Sequence, residues 1–473
     1  MKVAMTKKAF QYDMQRGLGS CILALKKMQD AEKEAFFPIV LWGCSRNMAY
    51  NMQLEYRSAY MYELIMEFSD VTPFIDAIEK RLRQCSHLPR WEFAQYCDLL
   101  SWFAGDGVKR AWTALNKCYN TLFQILQKKR SRPEGSNFSE RNNFEEVCIS
   151  LVDMCFDDRE WIAKQYQRII RDLGNLISEN HLYSFADFEW FQTVSEKRLG
   201  KTAVQGLLYH NGADEGTKIY RYSMEQYQSM TETAKAQHMG KQPETADEIY
   251  ERLRNGEKLE QICNRLRVHG FMVKNKEQEA LKIAAYYKYE ESEVIRCSLL
   301  RLLAYPACAW TVDLKQLIMD SKSTYSELSK WAFEVLRYRT DTSVRAYALE
   351  LLQSRKHMAK AVSMLVANYE DRDKKLLVET VKQIPITYES GEWHEVFHDV
   401  MDLFGSPAKV KPKELLFYMY RNTLCSFCRE YIVKEMGRRR MLTHELLEEM
   451  QYDCNEEIRK YAKKKLATSY LRV

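Results

Sequence analysis

Apolar positions recur in one frame through the C-terminal half of the chain. An aliphatic residue or Cys is followed at +1 by a mostly basic residue, at +4 by a small or apolar one, and at +8 by Leu or Met. The windows are Ile295-Arg296-Leu299-Leu303, Leu328-Ser329-Ala332-Leu336, Val344-Arg345-Ala348-Leu352, Cys428-Arg429-Ile432-Met436 and Ile458-Arg459-Ala462-Leu466. On a helix, positions 0, +4 and +8 share a face, and +1 lies on its flank. The pattern predicts one amphipathic helix used repeatedly, with a cation beside its apolar stripe. No segment alternates with period 2, so no sheet is expected. The fold class expected is all-α, a helical-repeat superhelix with an irregular helical N-terminal region.

Residues 1–127 read as an N-terminal helical block rich in aromatics, with helices over 71–84, 91–103 and 111–126. Pro73 stands near the start of the first of these, where a missing N–H costs nothing. Residues 128–143 (KKRSRPEGSNFSERNN) are polar, hold Pro133 and Gly135, and read as a linker. Residues 144–245 read as a second helical block. It is helical to about 179, irregular over 180–216 where Gly200, Gly206, Gly212 and Gly216 fall, and helical again over 222–237. Residues 246–473 read as successive helices of about 10–16 residues joined by short turns.

The window Asp341-Thr-Ser-Val344-Arg345-Ala-Tyr-Ala348-Leu-Glu-Leu-Leu352 resembles the second helix of a HEAT repeat: a polar or acidic cap, Val-Arg, Ala, then Leu. Ser292-Glu-Val-Ile295-Arg296 and Asn455-Glu-Glu-Ile458-Arg459-Lys-Tyr-Ala462 fit the same pattern. The resemblance covers roughly 276–467. It implies a HEAT-like α-solenoid there, and Arg side chains that pair with acids on neighbouring helices to hold register. The windows are spaced 33, 16, 84 and 30 residues apart, so the long gap must hold degenerate repeats. Such proteins work by surface rather than by pocket.

Composition supports long helices, since only 17 Gly and 9 Pro occur in 473 residues. No apolar run approaches the length of a membrane span, and no secretory leader is visible near Met1. The 13 Cys have no framework spacing. A cytoplasmic protein with reduced, mostly buried thiols is expected. Net charge is +6, and residues 411–473 carry 14 Lys+Arg against 9 Asp+Glu. Arg438, Arg439, Arg440 and Lys463, Lys464, Lys465 form two clusters about 25 residues apart. They are expected near helix C-termini, on a basic ridge that could assist an acidic partner. Lys128-Lys129-Arg130 is a third cluster, at the linker.

Four motifs carry possible chemistry. His394-Glu395-Val396-Phe397-His398 spells HExxH, in which two His at i and i+4 can reach one zinc and the Glu can act as general base. Charged Glu392 and Asp399 flank it, no strand accompanies it, and a third ligand such as Glu414 or Glu430 is not distinguished. Trp393, Val396, Phe397, Val400 and Phe404 account for the segment as a repeat helix. Cys425-Ser-Phe-Cys428 has redox or zinc spacing but lacks a second Cys pair and a βαβ context, so buried structural thiols are expected. Gly200-Lys201-Thr202 ends like a phosphate-binding loop, but Ser195 stands where the first Gly belongs. Residues 245–270 could form a helix-turn-helix around Gly256, with Asn264, Arg265 and Arg267 outward, but also a repeat hairpin.

The expected function is a non-catalytic scaffold that binds a macromolecular partner, a protein first and a nucleic acid second, with no membrane association and no cofactor. One alternative is a DNA-binding protein similar to the HEAT-like alkylpurine DNA glycosylases, although no catalytic Asp can be aligned. The other is a zinc hydrolase acting through His394, Glu395 and His398.

Overall fold

Thr6 opens the first helix, its hydroxyl accepting the Ala9 N–H, and Gly17 closes it in the left-handed conformation at φ 69°. A computed structural model describes residues 5–51, 55, 57–128, 139–153, 158–180, 183–238, 245–262, 277–304, 309–387, 391–406 and 411–470. The described residues are helical throughout, with no strand among them. None of their helices is long and apolar enough to cross a membrane. The chain forms two compact units, one of residues 1–238 with 423–473, the other of residues 239–422. The stretch 246–473 is therefore shared between them, and its last 51 residues belong with the N-terminal part.

Unit 2 is built from helices packed on their sequence neighbours. Gln278–Tyr289 lies against Glu293–Leu303, which lies against Ser326–Leu336. Thr342–Ser354 packs on Met358–Ala367, and that helix on Glu392–Gly405. The caps are those that the repeat windows require. Ser292 Oγ accepts the Ile295 N–H at 3.4 Å, and Asp341 accepts the Ser343 N–H at 2.7 Å. In unit 1, Asn455 accepts the Glu457 and Ile458 N–H groups at 2.9 and 3.1 Å. Every 0, +4 and +8 position of the five windows is buried except Ile295, which is half-buried. Their apolar stripe is thus the packing face.

Unit 1 has an aromatic-rich core running from Phe10 to Met224. Two sequence expectations need correction here. Residues Ser139 to Asn143, read as linker, are the first turns of the helix Ser139–Asp153, and Asn143 is buried, donating to the carbonyls of Cys85 and Leu88. Lys128 ends the helix Lys109–Lys128, and residues 129–138, with Lys129 and Arg130, lie outside the described residues. The described residues of the region 180–216 are more helical than expected. They include the helices Glu189–Leu199 and Lys201–Leu208, hinged at Gly200 with φ 90°, and the start of Glu215–His238. Glycine punctuates the helices here without dissolving them. Of the possible helix-turn-helix, Ala246–Arg254 and Leu259–Ile262 are formed, while Asn264, Arg265 and Arg267 lie outside the described residues.

Candidate functional site

The flanking cations of the repeat windows are consumed inside the protein. Arg296 reaches Asp320 at 3.2 Å, and Arg345 reaches Asp373 at 2.6 Å. Arg429 grips Asp453 with two bonds of 2.8 and 2.9 Å. These acids follow their arginines by 24, 28 and 24 positions, and all three are buried. Arg459 has no such downstream acid and pairs instead with Glu63 in the N-terminal part of unit 1. Each of these guanidiniums ties its helix to a segment elsewhere in its own unit.

The Arg429–Asp453 pair belongs to a larger buried network that joins the C-terminal helices to the N-terminal ones within unit 1. Arg57, 1% exposed, donates to Glu55 at 3.1 Å, to the Leu424 carbonyl at 3.2 Å and to the Cys454 Sγ at 2.8 Å. The Cys454 N–H donates to the Gly17 carbonyl at 2.9 Å. Gly17 and Gly19 have no room for a Cβ: at Gly17 it would strike Arg57 and Cys454, at Gly19 the Glu449 carbonyl. Two cations and two carboxylates are balanced here. Burial pushes the Cys454 thiol up to about 11, against the pull of the two guanidiniums. The network is therefore a structural bolt holding an unreactive thiol.

A surface cleft of about 440 Å³ lies on the outer face of the helix Lys109–Lys128. It is lined by Trp112, Thr113, Asn116, Lys117, Asn120, Thr121 and Gln124. The buried side of that helix carries Ala111, Leu115, Cys118, Leu122 and Leu126 at helical spacing, which turns the polar side outward. Trp112 packs edge-on against Trp161 with centroids 4.9 Å apart. Arg168, on the helix Arg159–Asn180, donates to the side-chain oxygens of Asn116 and Asn120, each at 3.0 Å, and lies over the Tyr119 ring. Arg168 thereby fixes the two amides. Among the lining residues there is no carboxylate, imidazole or thiol; the polar groups are hydroxyls, amides and one ammonium. Sequence reasoning passed over these residues because a polar helix face looks like ordinary solvated surface.

The sequence-identified residues fall elsewhere. Arg438 and Arg439 end the helix Ser426–Arg438 and both bond Glu435, so two cations share one carboxylate. Arg440 is exposed with φ 57°. Lys463, Lys464 and Lys465 are exposed, but they lie in the middle of the helix Glu456–Tyr470, not at its end. The clusters do approach through neighbouring residues, since Gly437 abuts the Tyr461 hydroxyl so closely that a Cβ would not fit.

His394 and His398 stand one turn apart on Glu392–Gly405, their Nε2 atoms 3.1 Å apart. Glu395 is held by Lys360 at 2.6 Å, and Lys360 also holds Glu334 at 2.7 Å. A carboxylate tied to an ammonium is a poor general base. Glu414 pairs with Lys374 at 3.1 Å, and Glu430 with Lys434. Cys425 caps the helix Ser426–Arg438, its Sγ accepting the Cys428 N–H at 3.5 Å, and both thiols are buried.

No protein-family model matches the sequence, and no characterised protein matches it.

Proposed function

We propose that this chain is a non-catalytic interaction protein, a HEAT-like helical-repeat scaffold, that holds an extended segment of a protein partner along the helix Lys109–Lys128. The lining of that helix face carries the reading. Trp112, Asn116, Asn120 and Gln124 recur every four residues. Four helical residues rise about 6.0 Å, and two residues of an extended peptide rise about 6.6–6.8 Å. An amide side chain carries both a donor and an acceptor, as a peptide group does. The Asn116 and Asn120 oxygens already accept from Arg168 and the Asn116 amide donates to the Trp112 carbonyl, so the row offers mainly its remaining N–H groups, and the whole Gln124 amide, to alternate carbonyls of an extended chain, with Trp112 as an apolar anchor at one end. The lining spans about 18 Å, enough for roughly five extended residues.

A nucleic-acid partner is the second reading. It is favoured by the aromatic pair and by Lys117 with Arg168, and by the absence of acids in the lining. It is weakened because Arg168 is already engaged by two amides and a ring, leaving one uncommitted cation in the lining. Phosphate binding scales with the number of cations.

A photo-reactive residue placed at Thr121 tests the choice. Crosslinking in cells to a discrete protein supports the proposal, particularly if Trp112→Ala abolishes the adduct. Crosslinking to nucleic acid, with affinity falling steeply in salt, supports the second reading. No adduct at Thr121 or Thr113 in folded protein removes the cleft from the account.

A further inference from the structure

A single charge stands in the cleft on the helix Lys109–Lys128. Lys117 is the one ionisable side chain in the lining, it is exposed, and it takes part in no ion pair among the described residues. Thr113 and Thr121 flank it one turn to either side, and their hydroxyls donate to the Lys109 and Lys117 carbonyls at 3.0 and 2.8 Å. Those protons are committed to the helix, which leaves each hydroxyl its lone pairs. Arg168 is spent on the Asn116 and Asn120 oxygens and on the Tyr119 ring. An anion in the cleft therefore finds one uncommitted positive charge, that of Lys117. One ammonium matches one carboxylate, whereas a doubly charged phosphate is best met by several cations or a guanidinium fork.

The place of Lys117 along the helix sets where that carboxylate falls. It lies five residues beyond Trp112, a rise of about 7.5 Å. Two residues of an extended chain span about 6.6–6.8 Å, and their side chains share a face while neighbours point to opposite faces. The flexible lysine stem covers the small difference. Granted that this helix face holds an extended protein segment, we propose that the segment carries an Asp or Glu two positions from the apolar residue that meets Trp112, its carboxylate paired with Lys117. The spacing holds whichever way the segment runs, so apolar-x-acid and acid-x-apolar both fit. An acid directly beside the apolar residue points away from Lys117. An exposed ammonium–carboxylate pair changes affinity by about two- to fivefold. That is enough to bias a sequence, while Trp112 supplies the anchor.

Random peptides displayed on phage are the probe, selected at low salt on folded full-length protein and counter-selected on Trp112→Ala. Enriched peptides should hold an apolar residue with an acid two positions away. Selection on Lys117→Glu, a change at an exposed position, should move the preference at that place to Lys or Arg. In fluorescence anisotropy, a selected peptide with Gln in place of its acid should bind about two- to fivefold more weakly, and the difference should shrink in high salt. Circular dichroism checks that each variant is helical. If Trp112→Ala is not, Thr121→Trp, which fills the cleft from an exposed position, takes over the counter-selection. Enriched peptides without an acid at that spacing, or an acid preference that survives Lys117→Glu, overturn the pairing and leave the cleft as a peptide site. No enrichment over the counter-selecting variant, with or without binding of a single-stranded oligonucleotide, overturns the peptide site and the pairing together.

Discussion

Replacing Arg429 with alanine should detach the C-terminal helices of unit 1 from its N-terminal ones. The side chain is fully buried and makes two short bonds to Asp453, also fully buried, at 2.8 and 2.9 Å. It makes weaker contacts to the Cys454 Sγ at 3.2 Å, the Thr423 carbonyl at 3.4 Å and the Gly17 carbonyl at 3.5 Å. The long contacts contribute little. The loss therefore lies mainly in leaving Asp453 buried and uncompensated, about 3–5 kcal/mol for breaking one side of a buried pair. Replacing both partners, Arg429→Met with Asp453→Leu, leaves no charge stranded and should restore most of that stability. Urea unfolding gives the magnitude. Hydrogen exchange gives the place: protection should fall together in Lys7–Arg16, Ser426–Arg438 and His444–Met450. A single variant losing less than about 1 kcal/mol, or a double variant as unstable as the single, would refute the reasoning.

Ala348 is fully buried in its repeat window, so Ala348→Glu should destabilise by about 3–5 kcal/mol through an unpaired buried carboxylate; an unchanged melting temperature would show that the packing face is misassigned. Burial pushes the Asp98 carboxyl up to about 7, against a bond donated by Ser58, and pushes Glu145 up to about 7, against Arg90. The folded state then holds more protons than the unfolded one between about pH 4 and 7. Stability from these groups is fully present below about pH 4 and is lost as pH rises through 7. Unit 1 should accordingly be more stable at pH 5.5 than at pH 8, by on the order of 2 kcal/mol from each group. Asp98→Asn should flatten that slope, and a slope unchanged in the variant contradicts the assignment. Charge reversal at Arg439 and Lys464 should slow association with an acidic partner and reduce its salt dependence while leaving the helical content intact; wild-type association kinetics would show the two clusters to be solvated surface.

The helices of unit 2 were legible because a stripe such as Leu328, Ala332 and Leu336 repeats at the helical period, with Arg or Ser marking the flank. The pairing of Arg345 with Asp373 was legible in kind, though not in partner, since spacing does not say which acid a helix will meet. The union of residues 423–473 with the N-terminal part left no periodic trace. It rests on single residues, with Gly17 and Gly19 admitting close backbone approach and Arg57 and Arg429 carrying the charge. Glycines over 180–216 look alike in sequence, yet Gly200 hinges two helices and Gly206 sits inside one. The cleft on Lys109–Lys128 was hidden for another reason: Asn116 and Asn120 become a fixed ladder only because Arg168, 48 residues beyond Asn120, bonds both.

The most direct test of the account is the affinity of the partner captured at Thr121, measured with wild-type protein and with Trp112→Ala/Asn120→Ala. Both side chains line the cleft and are at most partly buried, so the variant should keep its fold. Removing an aromatic anchor and one amide of the ladder should weaken binding by at least about 2 kcal/mol, roughly thirtyfold, with only a weak response to salt. Wild-type affinity in the folded variant would contradict the claim that this helix face is where the partner is held.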